Sequence, residues 1–263
     1  MNFKLPAAGA LLILSLGATS NAAEFQTSNF LVVADSSQVA QDVAQAAENL
    51  RSSLARQWLG RKMDDWKFRC RITVDVSNEG GSGWTSYDKW NRKLTQIGIR
   101  LQGPLDRLMD YVLPHELTHA ILVTVLGDTP PRWADEGAAM LAESRSQRLR
   151  QRLVVDELLK ANGTIPLRDV LCRDEYPRDL GEMHAFYTQS LALTEFLVDH
   201  GGRARFLKFV RDGYDADWDG AVKRHYEYDN VEAMQEDWIE WLHRDARERE
   251  AKRTLVRVDS LEK

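Results

Sequence analysis

The hydrophobic period of this 263-residue chain changes once, at Gly103-Pro104, and that change narrows the folds open to it. Upstream, two segments alternate with a period of two. Residues 67–76 (KFRCRITVDV) set Phe68, Cys70, Ile72, Val74 and Val76 on one face, and residues 94–101 (LTQIGIRL) do the same through Ile97, Ile99 and Leu101. Such alternation predicts half-buried strands. Residues 30–34 (FLVVA) form a short apolar strand, residues 84–90 another short one, and residues 79–83 a glycine-rich turn. Apolar residues at Val39, Val43, Ala46, Ala47, Leu50, Leu54 and Trp58 predict an amphipathic helix, with Asp35-Ser36-Ser37 supplying N-cap chemistry. Downstream of Pro104 the period is helical, over residues 105–126, 132–152, 181–200, 204–212, 217–226 and 231–247. The fold class expected is α+β: a small mixed β-sheet with an N-terminal helix, then an all-helical C-terminal half, with helix 105–126 between them. Residues 24–247 read as one domain, its upper part 24–126 β-rich and its lower part 127–247 helical, followed by a charged tail at 248–263.

Composition excludes several classes. With 29% charged and 43% hydrophobic residues and a formal net charge of −5, the chain is neither collagen-like nor a multi-span membrane protein, and it carries no basic footprint for nucleic acid. Residues 1–23 have an early Lys4, an apolar stretch from Leu5 to Gly17, and small residues up to Ala22 and Ala23. That layout predicts a cleaved secretory signal peptide and an exported protein, periplasmic or extracellular, without stable membrane insertion once the leader is gone. A monomer is the expected state. In an oxidising compartment Cys70 and Cys172 can form one bridge; the alternative is two unpaired thiols.

His115-Glu116-Leu117-Thr118-His119 carries the chemistry. Histidines at i and i+4 lie about 40° apart around a helix and about one turn along it, so both imidazoles can face one ion. Glu116 projects beside that ion without binding it, placed to take a proton from an activated water and return it to a leaving group. Leu108, Met109, Val112 and Leu113 precede the motif and Ala120, Ile121, Leu122, Val123 and Val125 follow it, so the helix is buried. Unpaired imidazoles and a carboxylate are costly there unless an ion or hydrogen bonds satisfy them. Pro114 predicts a kink or a helix start just before His115. A catalytic zinc needs a third protein ligand and an open position. Glu136, in the early turns of the helix that follows Thr129-Pro130-Pro131, completes a His, His, Glu set, with Asp135 or Glu143 available to hold an imidazole from behind. Gly137, Ala138 and Ala139 predict a close approach between these two helices. The alternative reading of Glu136 is a helix-start carboxylate favoured by the macrodipole.

HELTH followed by Trp133-Ala134-Asp135-Glu136-Gly137, with Tyr187-Thr188-Gln189-Ser190 further on, resembles the gluzincin zinc metallopeptidases, in particular the peptidase-MA-like family. The resemblance covers residues 94–202 and implies a zincin-like fold. It implies one Zn2+ held by His115, His119 and Glu136, with Glu116 as general base and acid and a peptide or protein as substrate. It further implies an oxyanion donor on a later helix, for which Tyr187 is the first candidate and His184 the second; the other reading of Tyr187 is a packing residue. An edge strand above the metal helix, to which a peptide adds, is assigned by order in the chain to residues 94–101, with Gly98 and Ile99 as substrate-binding positions. Two further functions stay open at this stage: a catalytically silent or self-blocked zinc protein, and a zinc amidase acting on cell-wall peptide.

Overall fold

The computed structural model describes residues 22–91, 93–213 and 217–261, with side chains to residue 252. The leader read at 1–23 lies outside the described residues as far as residue 21. A five-stranded sheet is built from β1 (Ala23–Gln26), β2 (Phe30–Ala34), β3 (Cys70–Val76), β4 (Ser82–Trp90) and β5 (Lys93–Gly103), in the order β1-β2-β3-β5-β4. The two middle pairings, β2 with β3 and β3 with β5, are parallel, while β1 and β4 run antiparallel at the edges. The parallel pairings require crossovers, and α1 (Ser37–Leu59) supplies the first. Phe30, Val32, Cys70, Ile72, Val74, Ile97, Ile99 and Leu101 line the buried face. The opposite face, with Arg71, Asp75, Arg100 and Gln102, is exposed.

The strand at residues 94–101 is real, but it is not an edge. Gly98 pairs with Arg71 on one side and Ser86 on the other, and Ile99 is buried between Ile72 and Thr85. Both positions have spent their backbone hydrogen bonds within the sheet, so neither Gly98 nor Ile99 can receive a peptide strand. The edge on that side of the sheet belongs to β4, which begins at Ser82 inside the segment read as a turn. The bridge between Cys70 and Cys172 is likewise corrected: both are free. Cys70 is buried in the middle of the sheet, where burial pushes its thiol up to about 12. Cys172 is exposed at the end of α6 (Leu167–Leu171), a helix that packs on α9 (Val231–Leu261) rather than on β3.

After β5 the chain forms a helical turn, α2 (Leu105–Arg107), a π-helical turn (Leu108–Val112), and α3 (Leu113–Leu126). The π-turn directly precedes Pro114, whose ring would crowd the carbonyl four residues back in a regular helix. Behind α3 a polar brace fixes its position. Buried Asn29 donates from Nδ2 to Glu48 (2.9 Å) and Asp65 (3.0 Å) and accepts the Trp66 backbone N–H. Trp66 donates from Nε1 to Thr124 on α3 at 3.1 Å.

The lower half holds α4 (Arg132–Leu141), α5 (Arg145–Lys160), α6, α7 (Leu180–Asp212), α8 (Trp218–Tyr226) and α9. The helix expected over 132–152 is two helices, because Ser144 adopts an extended N-cap conformation. Arg148 donates to the carbonyl oxygens of Leu141 (2.7 Å) and Glu143 (3.4 Å), occupying acceptors that the break exposes. Gly202, at φ 73° and ψ 164°, interrupts α7 where two helices were expected. The charge-rich end, read as a tail from residue 248, continues α9 to Leu261.

Gly137 does allow a close helix contact, but with α7 rather than α3: a side-chain carbon there would collide with Thr194 Oγ1 and the Ser190 carbonyl. Alanine gains about 1 kcal/mol over glycine in a helix interior. Overpacking against a backbone carbonyl outweighs that gain, so Gly137→Ala is expected to lower stability by about 1–3 kcal/mol. Urea denaturation followed by circular dichroism measures it; an unchanged or raised midpoint would contradict this packing.

Candidate metal centre

The residues of the HELTH motif and Glu136 meet at one point. α3 presents His115 and His119 on one face, and α4 brings Glu136 opposite them. Glu136 Oε2 lies 3.5 Å from His115 Nε2 and 3.9 Å from His119 Nε2, and one ligand atom from each residue falls within 4.8 Å of the others. This group could hold a metal ion. The outer nitrogens face carboxylates: His115 Nδ1 is 2.8 Å from Glu143 Oε1, and His119 Nδ1 is 2.8 Å from Asp135 Oδ1, the latter pair off the hydrogen-bond line. Glu143 reaches His115 because α4 stops at Leu141, releasing it from the helix. With Nδ1 turned to a carboxylate, each imidazole offers Nε2 to the centre.

Glu116 lies beside the group. Its side chain accepts from Thr85 Oγ1 (2.7 Å to Oε2), a hydroxyl also 2.9 Å from the Glu116 carbonyl. The edge strand β4 thus touches α3, and Gly83 makes the contact possible: a side-chain carbon there would lie 2.5 Å from Glu116 Cγ. The cleft, of about 450 Å³, is walled by Gly83, Thr85 and Tyr87 from β4, by the motif residues, and by Arg132, Asp135, Glu136, Tyr176 and Tyr187.

Tyr187 therefore shares the cleft with Glu116 and Glu136. His184 does not: it is exposed and opens on a neighbouring cavity behind His115, with Met183 and Glu143. Tyr176 was not singled out from sequence, since the stretch between α6 and α7 has no periodicity. Its hydroxyl donates to Glu136 Oε1, its ring stacks on Tyr187 (centroids 5.9 Å apart, 12° between planes), and the guanidinium carbon of Arg132 lies over the Tyr176 ring, 4.7 Å from its centroid. Burial, reinforced by the Glu136 charge, holds the Tyr176 and Tyr187 hydroxyls far above their usual range, so both remain proton donors. Thr85, Gly83 and Tyr87 were missed for a different reason. Their alternate spacing was visible, but their proximity to α3 depends on which strand forms the edge.

The donor set fits a divalent transition metal: two imidazole nitrogens and a carboxylate, each backed by a second polar group. The charge balance supports the same fit. Glu116, Asp135 and Glu136 are about 5%, 6% and 4% exposed, and buried carboxylates need a compensating positive charge. Without a metal ion, protons on the imidazoles contribute it. Burial opposes a charged His115, yet hydrogen bonds to Glu136 and Glu143 outweigh burial and raise its pKa to about 10. Glu136 is held down at about 2, its burial overcome first by the His115 hydrogen bond.

No protein-family model matches the chain, and no curated protein is significantly similar to it.

Two outcomes follow from the geometry. Replacing Glu143→Gln or Asp135→Asn should weaken metal binding by about 10–100-fold, and Glu136→Ala by more, in competition titrations with a chromophoric chelator; wild-type affinity in all three would exclude this ligand set. In the metal-free protein, protonation of His115 stabilises the fold fully below about pH 6.5, its unperturbed value, and that stabilisation is lost as pH rises through about 10. Urea midpoints measured with chelator from pH 6 to 10 should fall, and fall less in Glu143→Gln.

Proposed function

We propose that this chain is an exported zinc-dependent peptidase of gluzincin type, with a zincin-like fold, acting on a peptide or protein substrate. One observation carries the reading: two Nε2 atoms and Glu136 Oε2 converge, while Glu116, on the same helix, stands beside them held by Thr85. A structural metal site would close its coordination with a fourth protein ligand. Here the fourth side faces a cleft lined by a general base, a tyrosine hydroxyl and a strand edge.

His115, His119 and Glu136 would hold the zinc, which when bound would supply Lewis-acid polarisation of a carbonyl and lower the pKa of water. The remaining work falls to the protein. Thr85 donates to Glu116 Oε2 and leaves Oε1 to accept the proton of the attacking water. Glu116 then returns that proton to the departing amine. Tyr187, kept protonated by burial and by Glu136, can donate to the developing oxyanion. β4 offers its unpaired edge to an extended peptide, in place of the strand first assigned that part. No helix among the described residues is long and apolar enough to cross a membrane.

Glu116→Gln should reduce hydrolysis of a peptide library by about 100-fold or more while zinc stays bound at one equivalent. Tyr187→Phe should lower kcat by about 10²–10³-fold. Zinc bound with no cleavage by the unaltered protein would favour the silent or self-blocked reading, and cleavage of cell-wall peptide alone would favour the amidase.

A further inference from the structure

Arg132 opens α4 one helical turn before Glu136 and lines the same cleft. Its guanidinium lies 4.7 Å from the centroid of the Tyr176 ring, and Tyr176 stacks in turn on Tyr187. A guanidinium cation held over a ring uses its charge and not its N–H donors. Its five N–H donors lie in the plane and stay free to bond sideways. Among the described residues no carboxylate is paired with Arg132 and no acceptor takes its donors. Arg51, Arg152, Arg168, Arg224 and Arg249 differ, each facing a carboxylate. Nor is Arg132 the counter-charge of the cleft's own acids. Glu116 is engaged by Thr85, Asp135 faces His119, and Glu136 faces His115 and accepts from Tyr176. Arg132 is the one lysine or arginine among the described residues lining the cleft.

A planar fork of donors, with its central carbon over a tyrosine ring and no carboxylate paired with it among the described residues, matches a carboxylate in shape and charge. We propose that Arg132 is the carboxylate receptor of the cleft, so that the site selects peptides presenting a carboxylate next to the bond to be cut. That carboxylate is either the C-terminus or an acidic side chain. The inference rests on the peptidase reading for what the cleft accepts.

Binding tests it without turnover. The zinc-loaded Glu116→Gln protein is titrated calorimetrically with two pairs of short N-acetylated peptides. One pair compares a free C-terminal acid with its amide, using neutral side chains; the other compares a C-terminally amided peptide containing Glu with its Gln counterpart. At least one pair should favour the carboxylate by about tenfold or more, and the pair that does so names the source. Adding Arg132→Gln should abolish the preference, with zinc still bound at one equivalent. Arg132→Lys, which keeps the charge and loses the fork, should retain part of it, and serves as the readout if Arg132→Gln fails to fold. Equal binding within both pairs, a preference that survives loss of Arg132, or no binding of any peptide would overturn the proposal. A library digest by the unaltered protein separates the two readings. Cleavage without carboxylate preference removes only the role of Arg132, whereas carboxylate discrimination without cleavage removes only the peptidase.

Discussion

Four carboxylates, Glu116, Asp135, Glu136 and Glu143, surround two imidazoles, and the local structure depends on how that negative charge is met. Each acid is already engaged by a histidine, a threonine or a tyrosine, but hydrogen bonds alone do not neutralise charge in a buried setting. A divalent cation held by the two Nε2 atoms would leave both imidazoles neutral and still balance two of the four acids. Protons on both rings reach the same count only by turning the converging nitrogens into donors. The first arrangement would use Nε2 as a ligand and leave Nδ1 facing a carboxylate, which matches the hydrogen bond of His115 to Glu143 and the 2.8 Å approach of His119 to Asp135.

The parts of this site that lie close in sequence were legible in it. His115, Glu116 and His119 are related by helical periodicity alone, and Glu136 by one short connection through two prolines. Glu143 and Asp135 could be named as partners but not assigned, because the assignment turns on where α4 ends. Sheet order was not legible. The alternation of residues 94–101 says which face of a strand is buried, not which strand lies beside it, and so Gly98 and Ile99 were placed at an edge that β4 occupies. Tyr176 and Arg132 depend on a nonperiodic segment folding back over α4. The cysteines failed as a guide for a similar reason, since compartment bears on whether a bridge can persist but not on how far apart two thiols stand.

Rigidity is distributed unequally around the cleft. Its floor is α3 and α4, and both are fixed from behind: α3 through Trp66 and the Asn29 brace, α4 through the close contact of Gly137 with α7. Further out, buried Arg152 pairs with Glu195 on α7 and Asp245 on α9, while Arg249 pairs with Asp156 on α5. These contacts tie α5, α7 and α9 to one another.

The walls are held differently. β4 is bonded on one side only, and the segment carrying Tyr176 meets the floor through a hydroxyl bond to Glu136 and a stack between Arg132 and Tyr187. A ligand that engaged Arg132 from the side would leave its stacked face undisturbed. On the peptidase reading proposed above, metal affinity would then depend on the floor, and substrate choice on the walls. Changes in β4 or around Tyr176 can therefore alter what the cleft accepts with little effect on how the metal ligands are held, except at Gly83, Thr85 and Tyr176, where a wall residue touches Glu116 or Glu136 directly.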